Sequence, residues 1–97
     1  MQVLTIEAFA PRANETFSLD LGDSAVEMTL VNVGRLKPHV YPGMRRDPFR
    51  LLFKCAKQTI LPQQTYCFRN PAMGTLPIFI VPVGRERDGV VYEAVFN

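Results

Sequence analysis

TFSLDLGDSAVEMTL, the stretch from residue 16 to residue 30, decides the fold. On each side of a central Gly-Asp turn every second residue is apolar: Phe17, Leu19 and Leu21 before it, and Val26, Met28 and Leu30 after it. Because successive side chains of a strand point to opposite faces, this alternation predicts two half-buried strands. The turn residues between them predict that the two strands run antiparallel.

The same period of two recurs along the rest of the chain. It predicts four further strands, at residues 49–54, 65–69, 76–83 and 90–96. Six short strands separated by turns are typical of small barrels and sandwiches. We therefore expect an all-β domain, a small six-stranded antiparallel barrel or sandwich.

One short helical turn is predicted at the N-terminus, ahead of the strands. Thr5 is a candidate N-cap for this turn, and Pro11 is expected to end it. Ile6 and Phe9 are three residues apart and would share one face of the turn. We expect this face to close an open end of a barrel.

Length and composition indicate one soluble domain over residues 1–97. The 97 residues are 47% hydrophobic, enough for a single core without disulfide or metal staples. The 21% charged fraction argues against both disorder and membrane residence. No apolar run reaches the roughly 18–20 residues that span a bilayer. The opening MQVLTIE lacks the cationic start and apolar core of a signal peptide, so we expect a cytoplasmic protein.

Cys55 and Cys67 are the whole cysteine inventory, and their spacing fits no zinc or redox motif. One interpretation is two reduced thiols that pack as small, half-buried hydrophobes. The other is a disulfide between neighbouring strands.

The side chains that catalysis requires are sparse. His39 is the sole histidine and the sole conventional base for a nucleophile, so a pair with Cys55 or Cys67 is the one arrangement left open. The acids form no obvious pair, and the glycines are isolated turn residues rather than a phosphate cradle. We predict no enzymatic activity, no catalytic residue, no cofactor and no metal.

Charge is unevenly distributed along the chain, although the net charge is only +2. Residues 1–34 carry five acids and one arginine, whereas residues 35–57 carry seven basic residues and one acid. The 36–48 segment is long for a connection and holds three prolines, which lower the entropic cost of ordering it against a partner. One interpretation of this segment is a solvated, proline-rich surface loop without a partner. The other, which we carry forward, is that a protein partner binds this loop and the strand after it, at His39, Tyr41, Arg45, Arg46 and Arg50.

Nucleic-acid binding is the alternative function. Basic residues of segment 45–57 would contact phosphates, and Tyr41 or Phe49 would stack on bases. The acidic first third of the chain would repel a phosphate backbone if it shared that surface, so this interpretation ranks second.

The predicted fifth strand is apolar on both faces in its Ile78-Phe79-Ile80-Val81 run. Either both faces are covered within the domain, or another chain covers one of them. A homo-oligomer through Ile78-Val81 is the hypothesis that follows from the second alternative. Pro77 and Pro82 lack the donors of a ladder, so we expect Pro77 at the start of the strand and Pro82 at an edge or bulge.

Several motifs resemble a family of short bacterial proteins of unknown function. They are FRLLF at 49–53, LPQQTY at 61–66, LPIFIVPVG at 76–84 after Gly74, and above all YEAVFN at 92–97; Phe9 and the FSL at 17–19 also fit. The resemblance covers most of the chain outside the 36–48 loop. Members of the family are sometimes encoded near phage-tail-like or tail-collar proteins. The resemblance therefore implies an assembly, adaptor or chaperone role.

Glu93 is the notable residue of the last motif. Alternation places it on the face opposite Tyr92, between Val91 and Val95. An acid between two valines lies either at a solvated edge or in an ion pair. We predict a structural ion pair, with Arg69 or Arg50 as the partner, rather than a catalytic carboxylate.

Overall fold

Six antiparallel strands close into a barrel in the structure, a computed structural model that describes residues 4–37, 42 and 47–97. A helix, α1 (Ile6–Phe9), and a 3-10 turn (Ala10–Arg12) precede the strands, which are β1 (Thr16–Asp20), β2 (Ala25–Arg35), β3 (Phe49–Cys55), β4 (Gln64–Asn70), β5 (Gly74–Glu86) and β6 (Gly89–Phe96). Their order around the barrel is β1-β2-β3-β6-β5-β4, and β4 pairs again with β1. The predicted all-β, six-stranded antiparallel fold is confirmed, and of the two architectures it is the barrel.

The core fills the barrel with the residues that alternation places inward. Phe17 of β1 lies edge-on to Phe53 of β3 at 5.4 Å between ring centroids, and Phe53 lies 5.0 Å from Phe68 of β4. These three strands are not all neighbours, so the rings pack across the interior rather than along one sheet. Full burial of each such ring stabilises the fold by about 1.5–3 kcal/mol.

Helix α1 closes one end of the barrel, as predicted. Its buried Phe9 lies 5.8 Å from the ring of Phe49 and 5.5 Å from that of Phe96. Two details differ from expectation. Thr5 precedes the helix but makes no side-chain cap bond. Pro11 continues the chain as a 3-10 turn to Arg12, because a proline near the start of a helical turn lacks only a donor that has no partner there.

The opposite end is closed by the segment that joins β3 to β4. The backbone N–H of Leu61 donates to the hydroxyl oxygen of Tyr92 at 3.0 Å. The Tyr66 hydroxyl donates to the carbonyl oxygen of Pro62 at 2.7 Å. Two buried tyrosines therefore use their polar tips to fix this segment across the barrel.

Strand β5 changes its partner half-way along. It pairs with β4 over residues 74–80 and with β6 over residues 81–86. Pro82 lies at the register shift between Pro82 and Gly84, as predicted. Pro77 is the fourth residue of the strand rather than its start, because the ladder with β4 begins earlier, at Gly74. Among the described residues, β4 is the one strand that pairs with β5 over residues 74–80. Pro77 therefore lies on an edge-like stretch of β5, where a missing N–H donor is tolerated.

Candidate interaction surface

The predicted binding loop leaves the barrel at the end that α1 closes. The backbone N–H of Leu36 donates to the carbonyl oxygen of Pro48 at 3.0 Å, so β2 and β3 form a hairpin whose loop begins there. Four of the predicted partner-binding residues, His39, Tyr41, Arg45 and Arg46, lie outside the described residues. Their role and the open pairing of His39 with a cysteine remain predictions.

Arg50, the fifth predicted binding residue, lies on the outer face of β3. Its Nη1 atom is 3.5 Å from Oε2 of Glu93 on the adjacent strand β6. The predicted ion pair of Glu93 is therefore present and Arg50 is the partner. The other candidate, Arg69, instead pairs with Asp20 at 3.2 Å.

Lys54, also in the basic segment, forms ion pairs with two acids at the turn between β5 and β6. Its Nζ atom lies 2.8 Å from carboxylate oxygens of both Glu86 and Asp88. Hydrogen bonds to Asp88 and then to Glu86 raise the pKa of Lys54 above its ordinary 10.5. The same contact lowers the pKa of Asp88 below its ordinary 3.8. Both described strand cations of segment 45–57 thus have acidic partners within the chain.

The outside of β5, β6 and β3 carries six apolar side chains, with the charged Arg50, Lys54 and Glu93 between them. We call these six the apolar face; its members are Leu52, Phe79, Val81, Val83, Val91 and Val95. Phe79, Val83 and Val95 are 51%, 53% and 48% exposed. In the part of the chain that the structure describes, the other exposed large hydrophobic side chains are Val31 and Ile60. Three of five such side chains therefore lie on one face.

The exposure of Phe79 tests one of the two interpretations of the Ile78-Phe79-Ile80-Val81 run, and a homo-oligomer through this run stays a prediction. Ile78 and Ile80 are buried in the core, whereas Phe79 points outward and is half exposed. The interpretation in which this domain covers both faces of the strand is therefore wrong. The reason is that a single-layer barrel buries only the inner face of each strand.

The opposite side of the barrel has a different chemistry. Here the outward residues of one row are Glu27, Ser18, Arg69 and Thr75, on β2, β1, β4 and β5. They are among the residues that line an open cleft of about 530 Å³. This row has hydroxyls and charges, whereas the outer side of β5 and β6 carries valines and Phe79 beside its ion pairs.

The remaining predicted chemistry concerns cysteines and metals. Cys55 is a buried free thiol and Cys67 a half-buried one. The disulfide interpretation is wrong, because β3 and β4 are not neighbours in the barrel. Among the described residues, no group of three or more His, Cys, Asp or Glu could hold a metal ion. No helix in the same residues has the length and apolar character needed to cross a membrane.

A family model described as a domain of unknown function, DUF6916, matches residues 4–96. The chain belongs to the DUF6916 family. The matched range of this DUF6916 domain runs from the segment before α1 to the last residue of β6, so it includes the whole barrel and the apolar face. No curated protein matches the chain, and no solved structure does.

In this DUF6916 chain the length and charge of the 36–48 loop predict a binding site there, whereas most of the apolar face was not predicted. The signal was present in the outward positions of two strands, Pro77-x-Phe79-x-Val81-x-Val83 and Val91-x-Glu93-x-Val95. Solvated outer faces of barrel strands are usually polar, so repeated Val and Phe at outward positions predict an exposed apolar surface.

Proposed function

We propose that this protein is a non-enzymatic protein-binding module that serves in assembly, as an adaptor or accessory subunit. The observation that supports this best is the apolar face. An exposed apolar patch flanked by charged residues is typical of protein interaction sites on soluble domains. Its strands belong to a rigid barrel, so binding would cost little conformational entropy.

The proposal includes the 36–48 loop as a second contact and a phage-tail-like protein as the class of partner. The phage-tail-like class of partner rests on the family resemblance alone. Arg50 supports the loop as a second contact, because it lies at the border between the loop and the apolar face.

A capture experiment tests the proposed function. The tagged chain is incubated with nuclease-treated lysate of the native host and compared with Phe79→Lys. The matched control is Thr75→Lys, since Thr75 is an exposed residue in the row of Ser18 and Arg69 on the opposite side of the barrel. We expect Phe79→Lys to lose a defined protein partner and Thr75→Lys to keep it. Identical capture by all three chains would contradict a role for the apolar face.

The loop is tested in the same experiment with Arg45→Glu/Arg46→Glu. Loss of the partner in this variant would support the loop as a second contact, and unchanged capture would remove it from the proposal. A captured protein unrelated to phage-tail-like proteins would remove that class of partner.

Nucleic-acid binding through segment 45–57 is less well supported. Arg50 and Lys54 already have carboxylate partners, so binding phosphates would require breaking three ion pairs. Capture that disappears on nuclease treatment, and that weakens steeply with salt, would favour this alternative instead.

A further inference from the structure

Four outward residues, two on β3 and two on β6, form a rectangle that includes two members of the apolar face. Arg50 lies opposite Val95, and Leu52 lies opposite Glu93. Neighbouring strands are about 4.8 Å apart, and alternate residues of one strand are about 6.7 Å apart. The Arg50–Glu93 ion pair therefore occupies one diagonal of the rectangle, and the apolar Leu52 and Val95 occupy the other.

This arrangement is complementary to itself. Two copies of one face that meet are related by a two-fold axis lying in the plane between them. If the axis runs along the diagonal from Leu52 to Val95, rotation brings Arg50 of one copy over Glu93 of the second copy, and the reverse. Leu52 and Val95 then meet their own counterparts. Each charge faces its opposite, and each apolar side chain faces an apolar one.

We propose that the partner of the apolar face is a second copy of this chain, bound about a two-fold axis along the Leu52–Val95 diagonal. This inference rests on the proposed function, that the apolar face binds protein, and it identifies the bound protein as a second copy of this chain. It also moves the centre of the interface from the Ile78-Val81 run to the β3–β6 pair.

The neighbouring residues fit the same axis. Val81 continues the row of Glu93 on β5, and Gly34 continues the row of Arg50 on β2. The rotation that exchanges Glu93 and Arg50 therefore carries Val81 of one copy toward Gly34 of the second copy. Gly34 has no side chain, and the side chains of Asn32 and Arg50 border the space above its backbone, 3.3 Å and 3.8 Å from the position of a Cβ atom.

Charge and area are both compatible with a dimer. In an isologous interface each patch meets itself, so a patch with net charge would repel its copy. The rectangle holds one cation and one anion and is neutral. A specific interface buries about 800 Å² on each partner. That is about one eighth of the 6187 Å² surface of the described chain, and three of its six strands contribute to the apolar face.

A mixing experiment with charge-reversal variants tests the axis. Arg50→Glu places two acids in the rectangle, and Glu93→Arg places two arginines there. Each variant alone faces like charges and is expected to dimerise at least tenfold more weakly than the wild type, as measured by sedimentation velocity. The equimolar mixture pairs opposite charges across the interface and is expected to recover dimers as a heterodimer. Both variants lose the ion pair within the chain, which mixing cannot restore, so recovery reports on the interface alone.

A crosslinking experiment tests which residues lie on the axis. Val95→Cys, in a Cys67→Ser background, is expected to form a covalent dimer with a short bis-maleimide crosslinker, because packed sheets lie about 10 Å apart and on-axis residues face their own counterparts across that distance. Thr75→Cys, on the opposite side of the barrel, is the control and is expected to stay monomeric. Equal crosslinking of the two variants would overturn the proposed axis.

Two results would overturn the second copy as the partner. One is a wild-type chain that sediments as a monomer at all concentrations. The other is a dimer that both charge variants form as tightly as the wild type, which would put the contact on another surface. If the wild type is monomeric while Phe79→Lys still loses a captured partner, this inference fails and the proposed function stands. If dimerisation is confirmed and Phe79→Lys captures normally, the apolar face binds the second copy, and the captured protein binds another surface.

Discussion

Gly89, the first residue of β6, lies against the backbone at the end of β3. A Cβ atom built on Gly89 would overlap the carbonyl oxygen of Cys55 and lie 3.1 Å from its carbonyl carbon. Backbone cannot rotate out of the way as a side chain can. We therefore expect Gly89→Ala to lower the free energy of unfolding by about 2–4 kcal/mol, measured by urea denaturation.

Gly84 provides the control for this prediction, because a Cβ there meets nothing within 4 Å. Gly84→Ala is expected to change the free energy of unfolding by about 0.5 kcal/mol or less. Equal stability of the two variants would show that the β6 backbone moves freely away from Cys55.

Tyr66 couples the closure of one barrel end to pH. Burial raises the pKa of its hydroxyl above the ordinary 10.0, with a smaller contribution from Tyr92. The neutral hydroxyl is the form that donates to Pro62, and Tyr66→Phe should cost about 1 kcal/mol near neutral pH. Because the pKa of Tyr66 is higher in the folded than in the unfolded state, its neutral hydroxyl contributes fully to stability below pH 10.0. This contribution is lost as pH rises through the pKa of the folded state. Urea unfolding should therefore show the wild type and Tyr66→Phe converging above pH 10.0, and a constant gap would contradict this.

The β5–β6 hairpin depends on the β3–β4 segment to hold its tip. Gln58 donates through Nε2 to the carbonyl oxygens of Glu86 at 3.4 Å and Arg87 at 3.1 Å, and the Arg85 guanidinium donates to the Gln58 carbonyl at 2.8 Å. Gln58→Ala should accelerate hydrogen exchange at the amides of the tip by about fivefold to tenfold, with little change in the barrel. The exposed Gln63, in the same segment, is the control position. Uniform acceleration through the barrel would mean that the tip does not open independently.

Alternation in the sequence predicts the inner and outer faces of each strand, as with Phe17 and Leu19. This works because the period of two is a local property of the chain. The neighbours of a strand are not local, and β3 pairs with β6, about forty residues away, rather than with β4. Phe79 illustrates the consequence. Its outward direction follows from alternation, but its exposure depends on which layer, if any, lies outside the barrel.

The candidate surface was predictable only in part for the same reason. The 35–57 segment is strongly basic when it is counted along the sequence. In the folded molecule Arg50 meets Glu93, and Lys54 meets Glu86 and Asp88, all from the neutral last part of the chain. Charge clustering in a sequence therefore gives no surface potential until strand order is known. The sequence predicts Arg50 or Arg69 as the ion-pair partner of Glu93, and only the β3–β6 register distinguishes the two.

A dimer through the apolar face should make the thermal stability of the whole molecule depend on its concentration. Only folded chains associate, so mass action stabilises the folded state as the protein concentration rises. Above the dissociation constant, each tenfold increase should raise Tm by about 3–5 °C for a domain of this size.

Val95→Lys should abolish this dependence. It places two like charges against each other on the proposed axis, while an exposed strand position leaves the fold of each chain intact. Thr75→Lys, on the opposite side of the barrel, should keep the concentration dependence of the wild type. Differential scanning calorimetry at several concentrations separates the three chains. A wild-type Tm that stays constant over a hundredfold range would mean that the valines of β5 and β6 face solvent or a different protein, and the search for a partner would then move to the captured proteins.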